Sequence, residues 1–330
     1  MSAVRDMAAQ ACTAAQEWSV PSSVDPAARL FVRARGTGAM QGQPPVVLVH
    51  GFFQPASAIL DVPGFSLQAA LAEAGLRTYL FDFRGYGLST RPAFMNGPAE
   101  ASRPSLGCMD DALADLHDVV GFVQAREGVS QVDLLGYSWG TARSASFALA
   151  RPEAVRRLAL YAPVWRPSTG AAAQAHAPGN PGLPNPELGG YALFRPGDLQ
   201  RNWDWEIGTE DAARYRTAEA LAAADAALMA SDPSLPGDAF RAPLGPMVDA
   251  LAVSKGGSLF GAERLTHETL LIRGTQDRLS STSDAEALFA ALGSAGKTMV
   301  TLEVGTHLLH LEHARYRLFN ELAGFLLKAS

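Results

Sequence analysis

Cysteine is scarce: Cys12 and Cys108 are the only two in 330 residues. Two thiols without paired spacing exclude a disulfide-stapled scaffold and a cysteine-built zinc site, so both are read as plain thiols. Long apolar runs are missing as well. No stretch approaches the roughly 18 apolar residues of a membrane helix, and the opening Met1 to Gln10 carries an acid, Asp6, where a secretory signal needs an unbroken apolar core. The expectation is a soluble, cytoplasmic protein with no membrane partner. Dense basic runs are absent too. With 27 Lys and Arg against 33 Asp and Glu, the formal net charge is −6, which excludes a phosphate-neutralising nucleic-acid surface. No internal repeat is visible. Gly85-Tyr86-Gly87 follows an apolar run, yet no G-x-G-x-x-G or Walker lysine follows a strand, so no nucleotide cofactor is expected.

What is present is core material. Hydrophobic residues make up 48% and charged residues 18% of the chain, which suits a folded domain rather than a disordered one. Arg29 to Arg35 alternates apolar and polar residues, the pattern of a half-exposed strand. Val46 to His50, Leu80 to Asp82, Val132 to Leu135, Leu158 to Tyr161, Leu270 to Ile272 and Val300 to Val304 are short apolar runs bounded by turn residues. Such runs fit strands buried on both faces of a parallel sheet. Between them, 65–74, 110–126, 139–150, 284–292 and 313–327 place apolar residues at helical intervals, as in Leu113, Leu116, Val120 and Val123. The alternation predicts an α/β fold: a mostly parallel sheet flanked by helices.

One interval breaks the rhythm. Residues 163–268 separate two strands by far more than one crossover helix needs. Its first part, Pro163 to Gly197, is dense in proline and glycine, whereas Thr209 to Ala230 is alanine-rich and helical in period. The predicted organisation is an N-terminal arm (1–28), a core built from 29–162 and 269–330, and a helical cap inserted at 163–268. The proline-rich part of the cap is expected to be a movable lid.

The strongest chemical signal is Gly136-Tyr137-Ser138-Trp139-Gly140, lying between a strand and a helix. This G-x-S-x-G pattern forms a turn so tight that only glycine fits on either side, and it exposes the serine at the start of the helix. A serine hydroxyl needs a base to become a nucleophile. His307 follows the last strand and so reaches the same sheet edge as Ser138. His310 and His313 are read as facing solvent beside it, His50 ends a strand, His117 falls in a helix, and His176 and His267 lie in or beside the cap. Asp277, five residues beyond a strand, is the candidate acid that orients His307. Asp284 and Glu286 are the alternatives, at a helix start where acids complement the dipole. The order Ser, Asp, His matches this architecture. The oxyanion of a tetrahedral intermediate needs fixed donors, and the backbone N–H groups of Phe52 and Trp139 are the candidates. His307, His310, Glu312 and His313 cluster, but the histidines lack the four-residue offset of a helical zinc site, so no metal is expected.

Taken together, these residues resemble the α/β-hydrolase family. The matching pieces are His50-Gly51, the segment Asp82 to Ser89, the elbow at Ser138, Leu270 to Asp277, and Gly305-Thr306-His307 with Glu312 beyond it. Thr306 stands where that family commonly has glycine. The resemblance implies a structural role for Asp82 to Ser89 and a cap that roofs the pocket and selects substrates. It also implies that Ser138 stands where epoxide- and halide-cleaving relatives carry aspartate, which argues against both reactions. The function expected is a cofactor-independent serine hydrolase acting on an ester or lactone of a small apolar molecule. The alternatives are a carbon–carbon bond hydrolase or amidase using the same triad, or a non-catalytic small-ligand binding protein. Phe53, Phe194, Trp203, Trp205 and Tyr215 are candidates to line the substrate pocket, and equally to pack the cap on the core. A homo-oligomer is compatible with the sequence.

Overall fold

The computed structural model describes residues 14–37, 43–103, 105–166, 176–177, 180–185, 187–235 and 237–328. Cys12, the start of the N-terminal arm and part of the proline-rich stretch expected to be a lid (167–175, 178–179 and 186) lie outside the described residues. Eight strands form the main sheet: β1 (Gln16–Pro21), β2 (Arg29–Arg35), β3 (Val46–Val49), β4 (Thr78–Phe81), β5 (Val132–Tyr137), β6 (Val155–Tyr161), β11 (Glu268–Gly274) and β12 (Lys297–Leu302). Their order is β1-β2-β4-β3-β5-β6-β11-β12. The pairs β1·β2 and β2·β4 are antiparallel, and every other pair is parallel. The expected mostly parallel α/β sheet is therefore observed. The arm contributes β1, an edge strand pairing with β2, so the sheet begins at Gln16 rather than Arg29.

The continuous apolar runs are explained by what covers each face. Val46, Leu48, Leu135, Tyr137, Leu270 and Ile272 point to one side of the sheet, and Val47, Val49, Leu134 and Leu271 to the other. Side chains alternate along a strand, so a strand covered on both faces must be apolar throughout. On the first side lie α1 (Ala56–Ile59), α2 (Leu67–Glu73) and α9 (Arg315–Leu327); on the second lie α3 (Met109–Glu127), α4 (Trp139–Ala150) and α8 (Thr282–Ala291). Leu116, Val120 and Val123 of α3 form the buried stripe read from their spacing. Each such side chain, removed from water, contributes about 1.5–3 kcal/mol.

Between β6 and β11 the chain builds two small antiparallel pairs, β7 (His176–Ala177) with β8 (Asn180–Pro184) and β9 (Tyr191–Phe194) with β10 (Phe240–Pro243). It also builds α5 (Asp198–Ile207), α6 (Ala218–Ala230) and α7 (Pro246–Val253). Gly197 and Gly208, both at positive φ, bracket α5, and Pro246 opens α7, where a missing N–H costs nothing. Leu199, Trp203 and Ile207 of α5 and Leu228 of α6 join the core on the α9 side. Among the described residues no helix is long and apolar enough to cross a membrane.

Candidate active site

The predicted site residues sit at the carboxyl ends of parallel strands, where an α/β sheet leaves a crevice. Ser138 joins β5 to α4 with φ 56° and ψ −126°, a conformation that costs a non-glycine residue about 1–3 kcal/mol. The turn is fixed by close approach. A Cβ on Gly136 would lie 2.5 Å from the Gly140 carbonyl oxygen, and one on Gly140 would lie 2.1 Å from that of Val49. The Ser138 N–H donates to the Tyr161 carbonyl at 3.0 Å, and the Thr141 hydroxyl donates to the Ser138 carbonyl at 2.6 Å. The result is a half-buried serine whose Oγ has no hydrogen-bond partner among the described residues.

Gly51, after β3, faces this serine: a Cβ there would come within 2.9 Å of Ser138 Cβ and 3.2 Å of Oγ. The next residue is Phe52, and among the described residues neither its backbone N–H nor that of Trp139 has an acceptor. Two side chains unassigned by the sequence hold this loop. His50, fully buried, donates from Nδ1 to the Gly51 carbonyl at 3.0 Å and accepts the Phe83 N–H on Nε2 at 3.2 Å. Burial, with Arg143 nearby, holds its pKa well below the ordinary value, so the ring is neutral. Arg143, on the inner face of α4, donates to the carbonyls of Gly51 at 3.0 Å and Gly107 at 3.1 Å. Its guanidinium stacks 4.4 Å above the Phe83 ring.

The second half of the site comes from the loops after β11 and β12. His307 Nδ1 lies 3.0 Å from each carboxylate oxygen of Asp277. Asp277 Oδ1 also accepts the N–H groups of Leu279 at 3.0 Å and Ser280 at 2.7 Å, which fixes the carboxylate. Burial disfavours the His307 cation, but the Asp277 carboxylate, helped by Glu206, outweighs it and raises the pKa above the ordinary value. With Nδ1–H directed at Asp277, Nε2 keeps its lone pair and has no partner among the described residues. Tyr137, the residue before Ser138, has its ring 5.2 Å from the His307 imidazole, so the two halves of the site are packed against each other.

The rival residues are engaged elsewhere. Asp284 accepts the N–H groups of Trp165 and Arg166, and Glu286 is exposed. His310 does not face solvent as expected: it is buried, hydrogen-bonded to the Tyr161 hydroxyl and the Ile59 carbonyl, with burial lowering its pKa to about 3. His313 meets the Ala213 carbonyl. Glu312, whose pKa burial raises to about 6, accepts from Thr306 and Trp203. Of the cluster weighed for metal binding, His310, Glu312 and His313 are thus engaged in hydrogen bonds to other partners. Glu206, Asp277 and His307 do bring ligand atoms within 4.8 Å of one another. Both carboxylates there already accept hydrogen bonds from their neighbours.

Of the aromatic residues read as pocket-lining, Phe53 and Phe194 border a small cavity with Leu199, Leu228, Met229 and Phe240, which is also lined by the charged Arg195, Asp198 and Asp225. The Phe53 and Phe194 rings lie 4.9 Å apart. Trp203 is wholly buried and donates to Glu312, and Tyr215 is buried in the core. Trp205 is 53% exposed beneath Arg278, away from that cavity. Glu206, absent from the sequence reading, was signalled by its place on the apolar stripe of Leu199, Trp203 and Ile207, where an acid is costly unless paired.

The sequence pattern described as "Alpha/beta hydrolase family" matches residues 46–320. None of the curated proteins compared with the chain matches it. Solved structures with the same fold include an esterase from Exiguobacterium antarcticum, 16% identical, TM-score 0.59, covering 95% of this chain and 100% of that one. A thermophilic esterase from Thermogutta terrifontis is 18% identical, TM-score 0.60, covering 94% and 98%. A serine hydrolase involved in carbazole degradation is 16% identical, TM-score 0.59, covering 95% and 99%. At these identities the likeness is one of fold, whereas the family pattern spans most of the sequence. The chain belongs to the alpha/beta hydrolase family, and the family and its fold support a hydrolase.

Proposed function

We propose that this protein is a serine hydrolase that cleaves a carboxylic ester or lactone of a small apolar molecule through an acyl-enzyme on Ser138. In this reading Ser138 Oγ attacks the carbonyl while His307 Nε2 takes its proton and later returns it to the leaving group. Asp277 holds His307 in the tautomer with hydrogen on Nδ1 and stabilises the imidazolium. The backbone N–H groups of Phe52 and Trp139 hold the oxyanion. The observation that carries this is the strained Ser138, whose Oγ has no partner among the described residues, together with a histidine that packs on the adjoining Tyr137 ring and whose Nδ1 is 3.0 Å from the Asp277 carboxylate.

The apolar character of the substrate is supported by the surroundings of the donors. Phe52 and Phe53 stack on each other, Phe52 lies beside Trp139, and both phenylalanines pack against the apolar cluster that contains Trp139, Val164, Leu244 and Met247. Segment 163–268 is the cap in this reading, with Phe53 and Phe194 at the acyl end of the pocket. The reaction calls for no metal or cofactor, and the partner is the small-molecule substrate, met in the cytoplasm.

The test is initial-rate kinetics of wild type and Ser138→Ala on aryl esters, lactones, anilides and a vinylogous diketone. Turnover of an ester or lactone that vanishes in Ser138→Ala is the expected result. Turnover confined to the diketone or anilide overturns the substrate class, and turnover retained in Ser138→Ala overturns the mechanism.

A further inference from the structure

Helix α5 of the inserted segment reaches the loop that carries His307 and grips it at two points. Glu206 Oε2 accepts the backbone N–H of His307 at 2.7 Å. One turn earlier, Trp203 Nε1 donates to Glu312 Oε1 at 2.7 Å, and Glu312 in turn accepts the N–H of Thr306 at 3.0 Å and its hydroxyl at 2.6 Å. The backbone N–H groups of Thr306 and His307 therefore both end on carboxyl groups, one from the loop's own end and one from α5. The loop has reason to need both. It leaves β12 through Val304, a β-branched residue at φ 55°, and turns sharply enough that neither N–H returns to a strand partner.

Glu206 is 4% exposed. A buried carboxyl is a costly acceptor for one backbone N–H, because a neutral carbonyl or amide satisfies that donor with far less desolvation. Its position adds what a neutral acceptor lacks: its oxygen lies within 4.8 Å of both a His307 ring nitrogen and an Asp277 oxygen. The groups that face it are Asp277 and Arg273 from β11 and its loop, His307 and Glu312 from the loop after β12, and Tyr137 from β5. Burial and the neighbouring Asp277 raise the Glu206 pKa above the ordinary carboxylate value, and the His307 cation pulls it back down. This acid yields its proton most readily when His307 carries a positive charge.

Resting on the hydrolase reading above, we propose that Glu206 is a positioning residue for His307, through which docking of α5 sets the place of the catalytic base and supports its protonated form. The anchor is the backbone hydrogen bond, and the charge is a separate contribution. The two functions separate by substitution: Glu206→Gln keeps an acceptor of the same shape and removes the charge, and Glu206→Ala removes both.

The experiment measures the rate at which a fluorophosphonate labels Ser138 in wild type, Glu206→Gln, Glu206→Ala and Ser138→Ala, from pH 5 to 9, with folding checked by circular dichroism. The expected result is labelling of wild type that is absent in Ser138→Ala and slowed about tenfold or more in Glu206→Ala. In Glu206→Gln the plateau rate returns to within about threefold of wild type, with its acidic limb moved to lower pH. An unchanged rate and limb in both Glu206 variants overturns the proposal while leaving the hydrolase reading intact. Equal slowing in Gln and Ala at every pH, with no displacement of the limb, also overturns it. Absence of any Ser138-dependent labelling in wild type overturns the hydrolase reading and this proposal with it.

Discussion

Asp277 presents both carboxylate oxygens to His307 Nδ1 at 3.0 Å, and the same carboxylate is tied down by the N–H groups of Leu279 and Ser280. Asn at this position keeps the shape but turns an NH₂ toward the ring, which favours the tautomer with hydrogen on Nε2. Asp277→Asn should therefore lower kcat by about 10³–10⁴-fold with little change in KM. Asp284→Asn, at a residue engaged with Trp165 and Arg166, should stay within about threefold of wild type. Steady-state kinetics of the two variants decides between the acids.

The pH profile follows from the direction of the His307 shift. Its pKa is raised above 6.5 because the Asp277 carboxylate outweighs the effect of burial. A base works only when neutral, so kcat/KM should rise with pH along an acidic limb centred above the ordinary histidine value. A limb centred below pH 6.5 would show that the carboxylates do not govern this ring.

His310 makes the opposite prediction, for stability. Burial lowers its pKa to about 3, so the folded protein keeps it neutral while the unfolded chain protonates it below about 6.5. The unfolded state binds the extra proton, so stability is lost as pH falls through this window, by up to about 1.4 kcal/mol per pH unit. His310→Gln should be less stable at pH 7 yet show a slope shallower by about that amount between pH 6 and 4. Urea unfolding at several pH values measures it.

Glycine substitutions separate a required approach from a chance one. Gly140→Ala drives a Cβ to within 2.1 Å of the Val49 carbonyl, so it should destabilise by more than about 3 kcal/mol and abolish turnover. Gly121→Ala, on the exposed face of α3 with nothing within 4 Å, should stabilise by about 0.5–1 kcal/mol. Thermal unfolding of both variants provides the comparison.

The parts of this protein legible in its sequence are those fixed by neighbours along the chain. Val46–Val49 is apolar because both faces of β3 are covered, and the two glycines around Ser138 are there because backbones touch. His307 and Asp277 were placed at one edge by strand order, not by any pattern of their own. What escaped reading depends on partners far away in sequence. The strand Gln16–Pro21 exists because β2 offers it an edge. Arg143 reads as a helix residue until the Gly51 and Gly107 carbonyls are seen around it. Helix α5 was hidden by its polar content, and Glu206 finds its use only 101 residues later, at His307. Trp205, by contrast, looked like pocket material by type alone and lies on the surface.

The central claim is that Ser138 is the nucleophile, and the most direct measurement is intact-mass and peptide-mapping spectrometry after treatment with an aryl fluorophosphonate. The account predicts a single adduct on the peptide containing Ser138, formed by wild type and absent from Ser138→Ala. An adduct that persists in Ser138→Ala, or a folded wild type that takes up no label, would contradict it.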